Sequence, residues 1–186
     1  MKKLLLSGAL IAALAACKKN DAPANDVALQ ENTDVSVNPT LPASTADFPQ
    51  YAPDEVAQLL KTKDNDTVYV TNFFATWCAP CLIEIPHFKK KMTEMEGQKV
   101  KFTFVSVDQP DDWNTAVKSF GDKEGLNENI VLFDMAKAQP NFAHANTEKW
   151  DGGSIPFTRI TKGNKVDETI GSMTEEALTE KLNQFK

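Results

Sequence analysis

The order of strand-like and helix-like segments predicts an α/β domain: a central mixed β-sheet flanked by helices, with an antiparallel C-terminal hairpin. Three observations carry this. Runs rich in β-branched and aromatic residues alternate with runs of helical spacing, which implies parallel strands joined by crossover helices. The last two strand-like runs, Phe157 to Thr161 and Lys165 to Ile170, flank Gly163-Asn164, a hairpin signal, so the sheet also needs antiparallel pairing. Hydrophobic residues make up 41% of the 186 residues, enough for the core of one domain.

The elements follow in order. After Pro53, Val56, Leu59 and Leu60 keep helical spacing over Asp54 to Leu60. Thr67 to Phe74 reads as a buried strand. A long helix is expected from about Pro80 to Met95, with Pro86 kinking it or interrupting its hydrogen-bond ladder. In Val100 to Val107, Val100, Phe102 and Phe104 alternate with Lys101, Thr103 and Val105, the period of a strand. Asp111 and Asp112 suit a helix N-terminus, and that helix is expected to reach Phe120. Ile130 to Phe133 is a short apolar strand, and a further helix is expected near Ala136 to Ala145. Thr174 can cap a closing helix to Phe185, with Ala177, Leu178, Leu182 and Phe185 as its apolar stripe. The chain contains no internal repeat.

The N-terminus reads as an address. Lys2 and Lys3 precede an apolar stretch from Leu4 to Ala16 that is too short to span a bilayer and resembles a signal-peptide core. It ends in Leu14-Ala15-Ala16-Cys17, which resembles the bacterial lipobox. That resemblance implies removal of residues 1–16 and lipidation of Cys17; an ordinary cleaved signal with an incidental Cys is the alternative. Acyl chains on Cys17 would hold the protein at the membrane. Charge would not: the whole chain carries a net charge of −6, and without Lys2 and Lys3 it has 18 basic against 26 acidic residues, a net −8. The same acidity argues against nucleic-acid binding, which wants a basic face.

Residues 17–46 are expected to be the lipidated Cys and a tether. Lys18 to Ala46 is rich in Asn, Asp, Pro, Ser, Thr and Ala and has no aromatic residue, so it cannot bury enough apolar surface to offset its ordering entropy. As flexible coil it would span roughly 30 Å; an extra strand around Val35 to Leu41 is the alternative. Residues 47–186 are left for the domain.

The chemistry is concentrated in Asn72-Phe73-Phe74-Ala75-Thr76-Trp77-Cys78-Ala79-Pro80-Cys81. A predicted strand runs into Cys-x-x-Cys and a helix leaves from it. Thiol–disulfide exchange wants this arrangement. The thiolate is the nucleophile, and the unpaired N–H groups and positive dipole end of a helix N-terminus stabilise it. Pro80 fits the first turn, where its missing N–H would be unpaired anyway. Cys78 is expected to be the exposed attacking thiol and Cys81, a turn deeper, the resolving one. Two intervening residues let the sulfurs meet without backbone rearrangement.

Other readings of the pair stay open. Cys-x-x-Cys can be half of a zinc site, which needs two further ligands, and the histidines available are His87 and His144. Both suit surface or packing roles better than ligation. Haem attachment would need His after Cys81, where Leu82 stands. An inert structural disulfide is a further alternative in an exported protein.

Trp77-Cys78-Ala79-Pro80-Cys81, the downstream Glu84-Ile85-Pro86 and the later Ile155-Pro156 resemble the thioredoxin superfamily. The nearest branch is the TlpA/ResA-like thiol–disulfide oxidoreductases of bacterial envelopes. The resemblance covers about Pro53 to Lys186. It implies a thioredoxin-like fold with Cys78 and Cys81 as the redox pair. It makes Pro156 a cis-proline lying against the disulfide and Ile155 the residue whose backbone pairs with an extended substrate. Trp77, beside the pair, is expected on the substrate side, where it would cover the pair and limit solvent; a packing role is the alternative. Asn72 stands where thioredoxins proper have a buried Asp. Glu84 matches the acidic residue that the branch carries three positions after its second Cys, on the helix face of Cys81; an acid complementing the helix dipole is the alternative. Between Ala138 and Ile155 the chain departs from the branch, with a longer and more polar segment that is expected beside the disulfide.

The function that follows is a lipid-anchored thiol–disulfide oxidoreductase, acting as a reductant on envelope proteins with cysteine pairs or disulfides. Its domain would face the periplasm or the exterior. No cofactor-binding motif occurs, so a membrane electron donor is expected to re-reduce it. An oxidase or isomerase is a second reading within the same enzyme class. A copper- or zinc-handling module using Cys78, Cys81 and His87, and a peptide-binding protein with a structural disulfide, are readings from other classes.

Overall fold

A computed structural model of the chain describes residues 48–186. The expected signal peptide of residues 1–16, the lipidation site Cys17 and the tether ending at residue 46 lie outside these residues. Pro53 opens helix α1 (Pro53–Leu60), where the Glu55 carboxylate accepts the Ala52 N–H over 2.8 Å. Strand β1 (Val68–Phe74) leads through three residues and Cys78 into helix α2 (Ala79–Glu94). Pro86 does not divide α2. Its missing N–H costs the ladder one bond, while Ile85 and Phe88 on the same stretch bury fully and hold the helix to the sheet.

Strand β2 (Val100–Ser106) is followed by a region that departs from expectation. The helix predicted for Asp111 to Phe120 is a 3-10 turn (Pro110–Asp112), then a π-type turn (Trp113–Val117), then helix α3 (Lys118–Glu124). The Trp113 indole is buried and donates to Asp108 O over 2.9 Å, which fixes the first turn in a tighter path. The helix runs past Phe120 and ends at Gly125, whose φ of 68° suits a residue without Cβ. After strand β3 (Ile130–Leu132), the expected Ala136–Ala145 helix is two pieces, a 3-10 turn (Met135–Lys137) and helix α4 (Phe142–Asn146). Pro140 separates them by disfavouring helical backbone at the residue before it. Strands β4 (Phe157–Lys162) and β5 (Lys165–Ile170) form the hairpin, and Thr174 Oγ1 caps helix α5 (Glu175–Asn183) by accepting from Ala177 N.

The five strands lie in the order β3-β2-β1-β4-β5. β1 is parallel to β2 and antiparallel to β4. This places the functional residues. The end of β1 and the start of β4 meet, Phe73 opposite Phe157, so the chain after Phe74 and the chain before Phe157 emerge at the same end of these two strands. Alternate strand residues feed two cores. Val70, Phe74, Phe104 and Ile160 pack under α2, α3 and α5, while Phe73, Val105, Val131 and Phe157 pack under α1 and α4. Among the described residues no helix is long and apolar enough to cross a membrane.

Candidate active site

β1 ends as Val107 N donates to Phe74 O over 2.9 Å, and Cys78 N donates back to Ala75 O over 3.1 Å. The turn so formed delivers Cys78 to the N-cap of α2, in extended rather than helical backbone. Its sulfur accepts the Cys81 N–H over 3.3 Å, the hydrogen bond that an N-cap side chain makes. Cys78 and Cys81 are joined as a disulfide, with Cα atoms 5.3 Å apart. The expected difference in exposure is small: Cys78 is 5% exposed and Cys81 0%. Cys78 is therefore the outer sulfur, but it is not an open thiol.

The Ile155–Pro156 peptide is cis and faces the pair, with Ile155 O 3.8 Å from Cys78 Sγ. In the disulfide this is a contact without a hydrogen; a Cys78 thiol could donate to the same oxygen. Pro156 O accepts Gly171 N over 2.8 Å, which ties the loop to the far end of β5. Trp77 is 66% exposed and lies open beside the pair instead of covering it. Leu82 and Ile83, on the first turns of α2, are also exposed apolar residues. Sequence reasoning gave these two no part in the site.

Glu84, on the second turn of α2, is fully buried. Its Oε1 accepts Asn72 Nδ2 over 2.7 Å and its Oε2 accepts Met173 N over 3.0 Å. Asn72 Nδ2 also donates to Thr158 Oγ1 over 2.9 Å, and Asn72 Oδ1 is buried without a partner. Burial pushes the Glu84 carboxyl from its ordinary 4.5 up to about 7, against the opposing pull of the Met173 N–H, the Asn72 amide and nearby His87. A carboxyl in this range can hold or release a proton near neutral pH.

The structure does not gather the metal-ligand set. The two sulfurs are bonded to each other, and His87 Nδ1 lies 2.9 Å from Met173 O. His144 is exposed on α4, across the sheet. Among the described residues no group of three His, Cys, Asp or Glu side chains is placed to hold a metal ion.

Other supporting residues were not legible in the sequence. Within the segment expected to be polar and beside the disulfide, Trp150 is fully buried, stacked on Phe157 at 5.0 Å and tilted against Phe73 at 4.5 Å. Glu168 on β5 pairs with Arg159 on β4, both buried. Its second oxygen accepts Glu148 N over 2.9 Å and Lys149 N over 2.8 Å, anchoring the segment that leads to Ile155. Asp108, beyond β2, bonds the loop before Cys78.

Known proteins resemble this chain at the level these features suggest. It is 31% identical over 117 residues to the thiol-disulfide oxidoreductase ResA of Geobacillus thermodenitrificans, a match covering 62% of this chain and 61% of that protein. With ResA of Bacillus subtilis the identity is 26% over 117 residues, covering 62% and 59%. The chain thus spans about 60% of the length of these curated relatives. The crystal structure of a thioredoxin-related protein from Neisseria meningitidis serogroup B superimposes with a TM-score of 0.52 at 22% identity, covering 69% of this chain and 88% of that one. The fold is accordingly thioredoxin-like. A model of the AhpC/TSA family matches residues 43–164, from before α1 through the redox pair to the turn of the hairpin, and the chain belongs to that family.

Proposed function

We propose that the protein is a lipid-anchored thiol–disulfide oxidoreductase of the bacterial envelope that reduces disulfides in other envelope proteins. The observation that carries this is the Cys78–Cys81 disulfide at the N-terminus of α2, facing Ile155 O. In the reduced protein, Cys78 thiolate attacks a partner disulfide and forms a mixed disulfide, expelling the partner's first sulfur as thiolate. Cys81 then attacks Cys78 Sγ. The second partner sulfur leaves, and the Cys78–Cys81 bond re-forms. Two electrons pass to the partner, whose two thiolates take up protons. A membrane-bound dithiol donor must return the electrons, and the chain needs no cofactor for either half.

The other residues have roles that follow from position. The helix terminus favours the Cys78 thiolate. Glu84, one turn after Cys81 on the same helix, takes the proton that Cys81 must lose before it attacks. When ionised, it disfavours a thiolate beside it. The reduced pair then gains little from ionising Cys81, whereas a stabilised thiolate would favour the reduced form, so the arrangement suits an electron donor. Ile155 offers backbone to an extended partner segment, flanked by Pro156 and by Trp77. Cys17 carries the lipid, and residues 18–46 give the domain its reach from the membrane.

The assay is catalysis of insulin reduction by dithiothreitol. The protein should accelerate insulin precipitation and Cys78→Ala should abolish the acceleration. No acceleration by the native protein would make the disulfide a structural one.

A further inference from the structure

We propose that Asp108 is a positioning residue of the redox site, fixing Cys78 at the N-cap of α2 by gripping Thr76. The inference rests on the exchange reaction proposed above and adds to it a residue outside the motif.

The loop from Ala75 to Trp77 has to turn the chain from the end of β1 to the start of α2 within three residues, and the Cys78 sulfur must finish against the Cys81 N–H. Backbone bonds hold Phe74, and Cys78 is held by its backbone N–H, by the Cys81 N–H on its sulfur and by the disulfide. Thr76, at the apex, is held by Asp108. The Thr76 N–H lies 3.1 Å from both carboxylate oxygens, and the Thr76 hydroxyl donates to Oδ1 over 2.5 Å. On the other side Ser106 Oγ donates to Oδ2 over 2.8 Å, and Ser106 is the register partner of Phe74. Asp108 O accepts the buried Trp113 indole, which locks the backbone that carries the carboxylate. Asp108 itself is 1% exposed.

A buried carboxylate is costly unless its oxygens are satisfied. Here the donors are the two segments that must be kept in register, the loop of the nucleophile and the end of β2. A carboxylate suits this better than an amide, because it accepts on both oxygens and presents no N–H to the three donors around it. Its work is geometric: it stops Thr76 from lifting and so keeps Cys78 Sγ over the helix N–H that stabilises its thiolate. Loosening the grip moves the sulfur off that N–H. It also leaves the Asp108 charge less neutralised. Both effects raise the Cys78 pKa.

The test uses Thr76 in the whole chain, because Thr76→Val keeps the backbone N–H and the shape while removing the hydroxyl donor. In the reduced protein, Cys78 should titrate about half a unit or more higher, which at neutral pH is about a threefold loss of thiolate and of alkylation rate. Thr76→Ser should restore both, and the far-ultraviolet circular dichroism of all variants should match wild type. In an Asp108→Asn background the Thr76→Val shift should fall below about a third of its value, since coupled residues are not additive. A Thr76→Val protein with unchanged pKa and rate, a Thr76→Ser protein as impaired as Thr76→Val, or an undiminished shift in the Asp108→Asn background would each overturn the inference. Failure of the native protein to catalyse exchange would instead strike the functional reading, leaving the titration series to decide the role of Asp108.

Discussion

Asn72 Nδ2 on the central strand donates to Glu84 Oε1 on the redox helix over 2.7 Å, with both residues buried. The bond spans the gap between β1 and α2. The carboxyl it satisfies ionises near neutrality, because burial outweighs its three favourable partners.

The first prediction follows from that balance. A carboxyl whose folded pKa lies above its unfolded value binds its proton more tightly in the native state. Its contribution to stability is fully present below pH 4.5 and is lost as pH rises through about 7. The shift corresponds to about 3 kcal/mol at 1.36 kcal/mol per unit. Denaturant unfolding of the oxidised wild type should therefore lose stability between these values relative to Glu84→Gln, which has no proton to release. Parallel profiles for the two proteins would show that Glu84 titrates normally.

In the reduced state the same substitution reads the site. An ionised Glu84 raises a neighbouring thiol pKa by repulsion, so Glu84→Gln should lower one cysteine pKa and change the pH dependence of exchange. Identical thiol titrations would leave Glu84 a buried packing group with no part in proton handling.

Much of this site could be read from the sequence because it is local. A strand, Cys-x-x-Cys, Pro80 and a helix are consecutive, and Glu84 follows within a turn. What could not be read depends on distant partners. Glu84 accepts a hydrogen bond from Met173 N, 89 positions away. Asp108 lies 32 positions from the Thr76 it holds, and no motif connects them. Trp150 sits among Lys149, Asp151 and two glycines, where local polarity hides a core residue. The helix expected from Asp111 gives way to two irregular turns where the Trp113 indole bonds Asp108 O, an interaction that propensity does not encode.

Trp150 should carry a large share of stability. Trp150→Ala removes a fully buried ring stacked on Phe157 and is expected to cost about 3–5 kcal/mol, measured by denaturant unfolding. A loss under about 1 kcal/mol would mean that the 147–154 segment can close over the space.

The buried pair of Arg159 and Glu168 predicts a local effect. Glu168→Ala leaves the guanidinium without its anion and should cost about 3–5 kcal/mol. It also frees two amides, so hydrogen exchange at Glu148 and Lys149 should speed up more than at the β1 amides. Uniform acceleration across the domain would show that Glu168 does not specifically anchor this segment.

The anchor has its own test. Mass spectrometry of the native protein should find residues 1–16 absent and acyl mass on Cys17, and Cys17→Ser should release or misprocess the protein while its redox chemistry persists. A mature N-terminus elsewhere without lipid would remove the anchor from the account.

The division of labour between Cys78 and Cys81 is tested most directly by removing the resolving sulfur. Cys81→Ala should stall exchange after the first step, so cells expressing it should accumulate covalent complexes of the protein that dissolve in dithiothreitol, and Cys78→Ala should accumulate none. Trapping through Cys81 in the Cys78→Ala protein, or no trapping by either variant, would contradict the proposal that Cys78 is the attacking thiol of a cycling redox pair.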